Sequence, residues 1–128
     1  MLKISFLGGL GEFGKNLTVY EQDGARLMVD CGAMFPEPDM PGVDLVIPDF
    51  SFLQEAPERL VGLVLTHGHE DHIGAVPFLL RAVPATLYGS QLTLGLVDRK
   101  LKERGVEPLG RVVLQAGRPV RIGPFEVE

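Results

Sequence analysis

The segment Thr66-His67-Gly68-His69-Glu70-Asp71-His72 holds all three histidines of the chain, with an aspartate beside the last of them. Imidazole nitrogen and carboxylate oxygen are the donors that Zn²⁺ takes, and Mn²⁺ and Fe²⁺ accept the same set. A lone histidine is more often packed in a core or displayed on a surface than bound to metal. Three histidines and an aspartate spaced H-x-H-x-D-H are not explained that way, because every buried polar group needs its own partner. Side chains alternate along extended chain, so His67 and His69 project from one side of a loop. Asp71 and His72 are adjacent and cannot share that direction. The spacing therefore predicts two ligand pairs facing two ways, with two metal ions side by side.

Such a loop needs rigid supports. The run Val61-Gly62-Leu63-Val64-Leu65-Thr66 before it reads as a buried strand, and Ile73 to Ala82 after it reads as the start of a helix. Loops mounted between rigid elements are where binding and catalysis concentrate.

The motif T-H-G-H-E-D-H-I-G resembles the signature of the metallo-β-lactamase superfamily. That resemblance implies two zinc ions at the edge of an αβ/βα sandwich, His67 and His69 for the first and Asp71 and His72 for the second. It implies that Asp30, in Leu27-Met28-Val29-Asp30-Cys31-Gly32, lies beneath the loop, where a carboxylate accepts a histidine N–H and fixes its tautomer. Read alone, Asp30 is equally a turn residue at a strand end before Gly32.

Three further blocks narrow the resemblance: Gly8-Gly9-Leu10-Gly11-Glu12-Phe13-Gly14-Lys15-Asn16, Met40 to Phe50, and Gly74 to Leu80. Their order and spacing are similar to the ribonuclease J branch of the β-CASP nucleases. The implied activity is metal-dependent RNA phosphodiester cleavage, exonucleolytic, endonucleolytic or both, with Asp71 as the catalytic ligand. Glyoxalase-type hydrolases and lactonases share H-x-H-x-D-H and form one alternative; a non-catalytic fragment that binds metal weakly and is inactive in isolation is the other. Gly9-Leu10-Gly11 lacks both the dinucleotide fingerprint and the G-K-[ST] ending of a phosphate loop, which excludes a nucleotide-loop reading.

At 128 residues, with 45% hydrophobic and 23% charged residues, the chain has the composition of one ordinary globular domain. It has no apolar run long enough for a bilayer and no signal-peptide pattern, and Cys31 is its only cysteine. A cytoplasmic protein with no membrane segment is the expectation, with Cys31 as a small buried hydrophobe. A net charge of −5 argues against a general nucleic-acid-binding surface. Charge is uneven: residues 1–98 carry 5 Lys/Arg and 13 Asp/Glu, for −8, while residues 99–128 carry 7 and 4, for +3. Arg99, Lys100, Lys102 and Arg104 fall on one predicted helix and read as a solvated face. RNA bound at the acidic part would meet phosphate through the metals.

Alternation and turn residues predict strands at Leu2–Phe6, Leu17–Tyr20, Arg26–Val29, Gly62–Leu65, Thr86–Tyr88, Arg111–Leu114 and Arg118–Ile122. They predict helices at Ala75–Ala82 and Ser90–Arg104, with Ser90 as N-cap and Gly105 as stop. Five prolines between Phe35 and Pro57 mark a long ordered loop beside the site, with one helical turn at Phe50–Gln54. The fold class expected is α/β: the first half of a metallo-β-lactamase αβ/βα sandwich, a mostly antiparallel or mixed sheet with two helices. Residues 1–128 then form the N-terminal part of such a domain, ending before the β-CASP insertion, with further ligands supplied later. Two protein ligands per metal fall short of the three that a catalytic zinc keeps. The two helices cover one sheet face only, so the other is expected to stay apolar and to drive homo-oligomerisation.

Overall fold

Alternation in Leu17–Gln22 (β2) buries Leu17, Val19 and Glu21 on one face and leaves Thr18, Tyr20 and Gln22 half-buried on the other, in the computed structural model of residues 1–128. β2 pairs antiparallel with Lys3–Gly8 (β1) on one side and Ala25–Val29 (β3) on the other. The β2–β3 turn is Asp23-Gly24, and both residues have positive φ, 50° and 79°. Two successive positive φ values make a type I′ turn, whose twist matches that of the strands it joins.

From β3 onward the sheet is parallel. Leu60–Val64 (β4), Thr86–Gly89 (β5) and Gly110–Val113 (β6) follow in order, giving one mixed six-stranded sheet β1-β2-β3-β4-β5-β6. Within this sheet, antiparallel pairing is confined to β1–β3. Parallel neighbours need long crossovers; here these carry the one-turn helices Ser51–Gln54 (α1) and Glu70–Ile73 (α2), then Val76–Ala82 (α3) and Gln91–Arg104 (α4). The Ser90 side chain caps α4 by accepting from Thr93 N, and Gly105 ends it in the left-handed conformation. The α/β class, the mixed sheet, the two principal helices and the helical turn at Phe50–Gln54, found as α1, agree with the sequence; α2 and the hairpin pairing described next add to them.

α3 and α4 press on one sheet face. Between them lies a core of 22 buried residues, including Val19, Met28, Leu63, Leu65, Leu79, Leu87, Val97 and Leu101. The opposite face departs from expectation. Val120–Ile122 (β7) does not join the main sheet but pairs with Phe125–Val127 (β8) as a separate hairpin. Ile122 packs on Leu27 and Val64, with Tyr20, Val61, Tyr88 and Phe125 around them. The second face is thus covered at its centre by the chain's own last strands, and only its β1 margin, with Ile4 and Phe6, stays exposed. The expected strand at Arg118–Ile122 is thus present as β7, and its pairing with β8 supplies cover that the sequence assigns to helices alone.

Glu21, at the end of β2, and Arg26, at the start of β3, are charged yet buried. Arg26 Nε donates to Glu21 Oε1 at 3.0 Å, its Nη1 donates to the Phe52 carbonyl, and its guanidinium lies 4.1 Å over the Phe52 ring. Burial pushes the Glu21 carboxyl up, but the hydrogen bond and charge of Arg26, helped by Lys3 and Arg59, outweigh it and hold the group below the ordinary glutamate range. This pairing ties the first hairpin to α1 at the sheet end remote from the histidine loop.

Candidate metal centre

The histidine loop begins where β3 and β4 end side by side. Asp30 follows β3 directly and Thr66 lies two residues past the end of β4, and the parallel register Val29↔Val64 brings the two segments side by side. Asp30 has φ 62°, a left-handed conformation that Asp tolerates better than most residues. That turn aims its carboxylate under the loop, where it is 6% exposed. Asp30 Oδ1 accepts the Thr66 backbone N–H at 2.8 Å, and Oδ2 lies 2.8 Å from Thr66 Oγ1 and 2.7 Å from His72 Nδ1.

These contacts fix protons by elimination. A carboxylate accepts only, so the Thr66 hydroxyl and His72 Nδ1 both donate to it. With its proton committed, Thr66 Oγ1 accepts from His67 Nδ1, 3.0 Å away. Asp30 therefore sets two imidazoles, His72 directly and His67 through Thr66. Each is left with an Nε2 lone pair, the form a metal takes.

The rings gather in one cluster. His67 lies 4.0 Å, centroid to centroid, from His72 and 4.5 Å from His69. This corrects the picture of two ligand pairs facing apart. Extended alternation stops at His69, whose carbonyl accepts from His72 N and Ile73 N to open α2. That turn wraps His72 back over His67. Asp71 sits on the same turn, with Oδ2 3.5 Å from His72 Nε2.

His67, Asp71 and His72 are half-buried and His69 is exposed. The nitrogen and oxygen donors suit Zn²⁺, and the Asp30 bracing is what a metal-binding histidine requires. No group of three or more His, Cys, Asp or Glu side chains is arranged to hold an ion, however. The donors fit a divalent metal by type and orientation, and in number they supply part of its shell. Cys31 adds nothing to it: burial pushes its thiol far above the ordinary range, reinforced by the charge of Asp30, so it remains a neutral core group.

Four supports escaped sequence reasoning. Asn16, at the end of the glycine-rich block, donates from Nδ2 to the Asp71 carbonyl at 2.9 Å. Gly32 runs so close to the loop that a Cβ there would lie 1.6 Å from the Asp71 carbonyl oxygen. Thr66 carries the relay to His67. Lys100 on α4 pairs with Glu70, while Leu96 packs against Gly68, so α4 braces the outer side of the loop. Thr66 alone had a local signal, its place beside the motif. The basic stretch of α4 is otherwise the solvated face expected: Arg99, Lys102 and Arg104 are exposed, Arg99 beside Glu103 and Arg104 over the Phe78 ring, and Lys100 alone is half-buried.

The proline-rich loop lies beside the site. Met34 and Val46 exchange backbone hydrogen bonds at 2.9 Å and close residues 35–45 into an excursion. A cleft of about 300 Å³ runs between Phe13 and Phe35, both exposed, and reaches Glu70 and Asp71. No helix is long and apolar enough to cross a membrane.

Comparison with known proteins identifies the family. The chain is 46% identical over 128 residues to ribonuclease J of Mycobacterium tuberculosis, covering 99% of this chain and 23% of that protein. It is 40% identical over 129 residues to ribonuclease J of Helicobacter pylori, covering 99% and 19%. The chain thus spans about a fifth of the length of the curated relatives it matches. Among solved structures, a metallo-β-lactamase fold protein of Bacillus subtilis, YhfI, superimposes with a TM-score of 0.65 at 19% identity, over 98% of this chain and 50% of that one. Human tRNase Z, short form, gives 0.58 at 21% identity, over 88% and 43%. The metallo-β-lactamase superfamily model matches residues 10–127, and the chain belongs to that superfamily.

Proposed function

We propose that residues 1–128 are the N-terminal part of a metal-dependent ribonuclease of the ribonuclease J type, with its β-CASP region elsewhere in the intact protein, and that the intact protein hydrolyses RNA phosphodiesters. The observation that carries this reading is the 46% identity to a ribonuclease J over 128 residues, a span that includes the whole histidine loop. His67, His69, Asp71 and His72 hold two divalent ions, Zn²⁺ or Mn²⁺, together with ligands from outside this chain. Divalent ions supply, when bound, Lewis acidity and a water acidified enough to attack at neutral pH.

The chain's own residues do the positioning. Asp30 keeps the Nε2 lone pairs of His67 and His72 available. Asp71 contributes an anionic oxygen beside His72, and the Phe13–Phe35 cleft gives bases of a single strand aromatic faces next to it. Cleavage is exonucleolytic, endonucleolytic or both, in the cytoplasm, by a homo-oligomer. A small-molecule hydrolase of the glyoxalase or lactonase type shares the motif without the flanking blocks. The absence of any three converging ligands favours a further reading for the isolated chain: weak metal binding and no turnover.

The test is cleavage of a 5′-labelled single-stranded RNA by the intact protein, with and without chelator, beside Asp71→Ala. Chelation and Asp71→Ala are each expected to remove most cleavage while the fold is retained. Wild-type cleavage by a folded Asp71→Ala protein, or hydrolysis of thioesters in place of RNA, overturns the proposal.

A further inference from the structure

Asn16 stands where three acceptors meet. Its Nδ2 lies 2.9 Å from the Asp71 carbonyl oxygen, 3.5 Å from Asp71 Oδ2 and 3.4 Å from His72 Nε2. The Asp30 contact assigns the His72 proton to Nδ1, so Nε2 offers a lone pair. A carbonyl, a carboxylate and a lone pair all point at one position, and only a group that donates and does not accept fits there. The amide NH₂ is such a group. Turned over, the amide would set its oxygen against all three.

The main chain fixes this amide. Asn16 N donates to the Asp71 carbonyl at 3.1 Å, and Gly32 N donates to the Asn16 carbonyl at 2.9 Å. Asn16 is thereby stitched between the segment after β3 and the start of α2, and its side chain has one short way to go. The Asp71 carbonyl thus receives two N–H groups from this residue, of which the backbone one survives any side-chain replacement.

We propose that Asn16 is a positioning residue for the metal centre: its amide bridges the Asp71 carboxylate and His72 Nε2, and holds the two as a ready pair for one divalent ion. The 2.9 Å bond to the Asp71 carbonyl would keep the amide in place with an ion bound. The role rests on the metal-centre reading given above. Loss of a group that orients metal ligands typically lowers affinity about 10- to 100-fold.

The test compares the wild-type chain with Asn16→Leu, which keeps the branch at Cγ and has no donor, and with the smaller Asn16→Ala. Zn²⁺ and Mn²⁺ titrations are expected to show affinity about 10- to 100-fold weaker in both variants. Melting of the metal-free proteins is expected to stay near wild type, because the backbone bonds remain. In the metal-free protein, the ¹⁵N resonance of His72 Nε2 is expected to move on substitution while that of His69 does not. Unchanged affinity, or an unmoved His72 resonance, overturns the positioning role. Affinity lost only in step with collapse of the metal-free fold overturns it as well, and Asn16→Ala decides this where Asn16→Leu fails to fold. Absence of any metal uptake by the wild-type chain and by the intact protein sinks the metal-centre reading itself, a result distinct from uptake that Asn16→Leu leaves unchanged.

Discussion

Replacing Asp30 by Asn separates the proton logic of the site from its packing. The two side chains have the same shape, and both tolerate the φ of 62° found there, so the backbone has no reason to move. With the Asn oxygen kept on the Thr66 backbone N–H, the new NH₂ faces Thr66 Oγ1 and His72 Nδ1, which lie 2.8 and 2.7 Å from the oxygen it replaces. Donor then meets donor. The threonine hydroxyl answers by rotating. The imidazole answers by moving its proton to Nε2. Each altered contact changes from a bond to a charged acceptor into a neutral one, a loss of about 1 kcal/mol apiece. The expected destabilisation is therefore about 1–3 kcal/mol, read by urea unfolding at pH 7. The functional consequence is larger, because an Nε2–H cannot bind a metal. Zn²⁺ affinity is expected to fall about 10- to 100-fold, and ¹⁵N spectra should show His72 in the other tautomer. A folded Asp30→Asn protein with wild-type zinc affinity and the Nδ1–H tautomer would refute the assignment.

Two further outcomes follow from the same structure. Gly32→Ala sets a Cβ 1.6 Å from the Asp71 carbonyl oxygen and 2.9 Å from Asn16 N, both backbone atoms; the start of α2 must shift, with a loss of about 1–3 kcal/mol or more, and urea unfolding at wild-type stability would contradict the close approach. Glu21, held below the ordinary range in the folded state, binds fewer protons folded than unfolded, so its contribution is full above the ordinary glutamate value of about 4.3 and fades as pH falls toward the folded value; the stability gap between wild type and Glu21→Gln should close on acidification, and a gap constant from pH 7 to pH 3 would exclude this.

The parts legible in the sequence are those with local causes. Leu17–Gln22 alternates because one sheet face is buried, Asp23-Gly24 reads as a hairpin because two positive φ values in a row favour those residues, and Ser90 and Gly105 bracket α4 because helix ends need a side-chain acceptor and a left-handed stop. The strand expected at Arg118–Ile122 is found as β7, but its pairing with β8 is not legible locally. A strand of three residues has too little alternation to show where it pairs, and what places this hairpin is burial of Ile122 against Leu27 and Val64, more than fifty residues away in sequence.

The site divides along the same line. Ligand types and their spacing are local, and H-x-H-x-D-H displays them. The arrangement of the imidazoles is not local. It follows from Asp30 reaching His72 across 42 residues, from Asn16 reaching Asp71 across 55, and from α4 bracing the loop at Gly68 and Glu70. Extended-chain alternation predicts divergent pairs because it knows only neighbours. The structure instead closes α2 on the His69 carbonyl, and the backbone bonds from Asn16, Cys31 and Ala33 to the carbonyls of Asp71, His72 and Glu70 hold that turn against the segment after β3. The three consecutive carbonyls of Glu70, Asp71 and His72 are thus committed to the scaffold, which leaves this turn its side chains with which to meet an ion. A sequence change that keeps all four ligands and breaks any of those three bonds should therefore impair metal binding as much as losing a ligand's own orienting partner does.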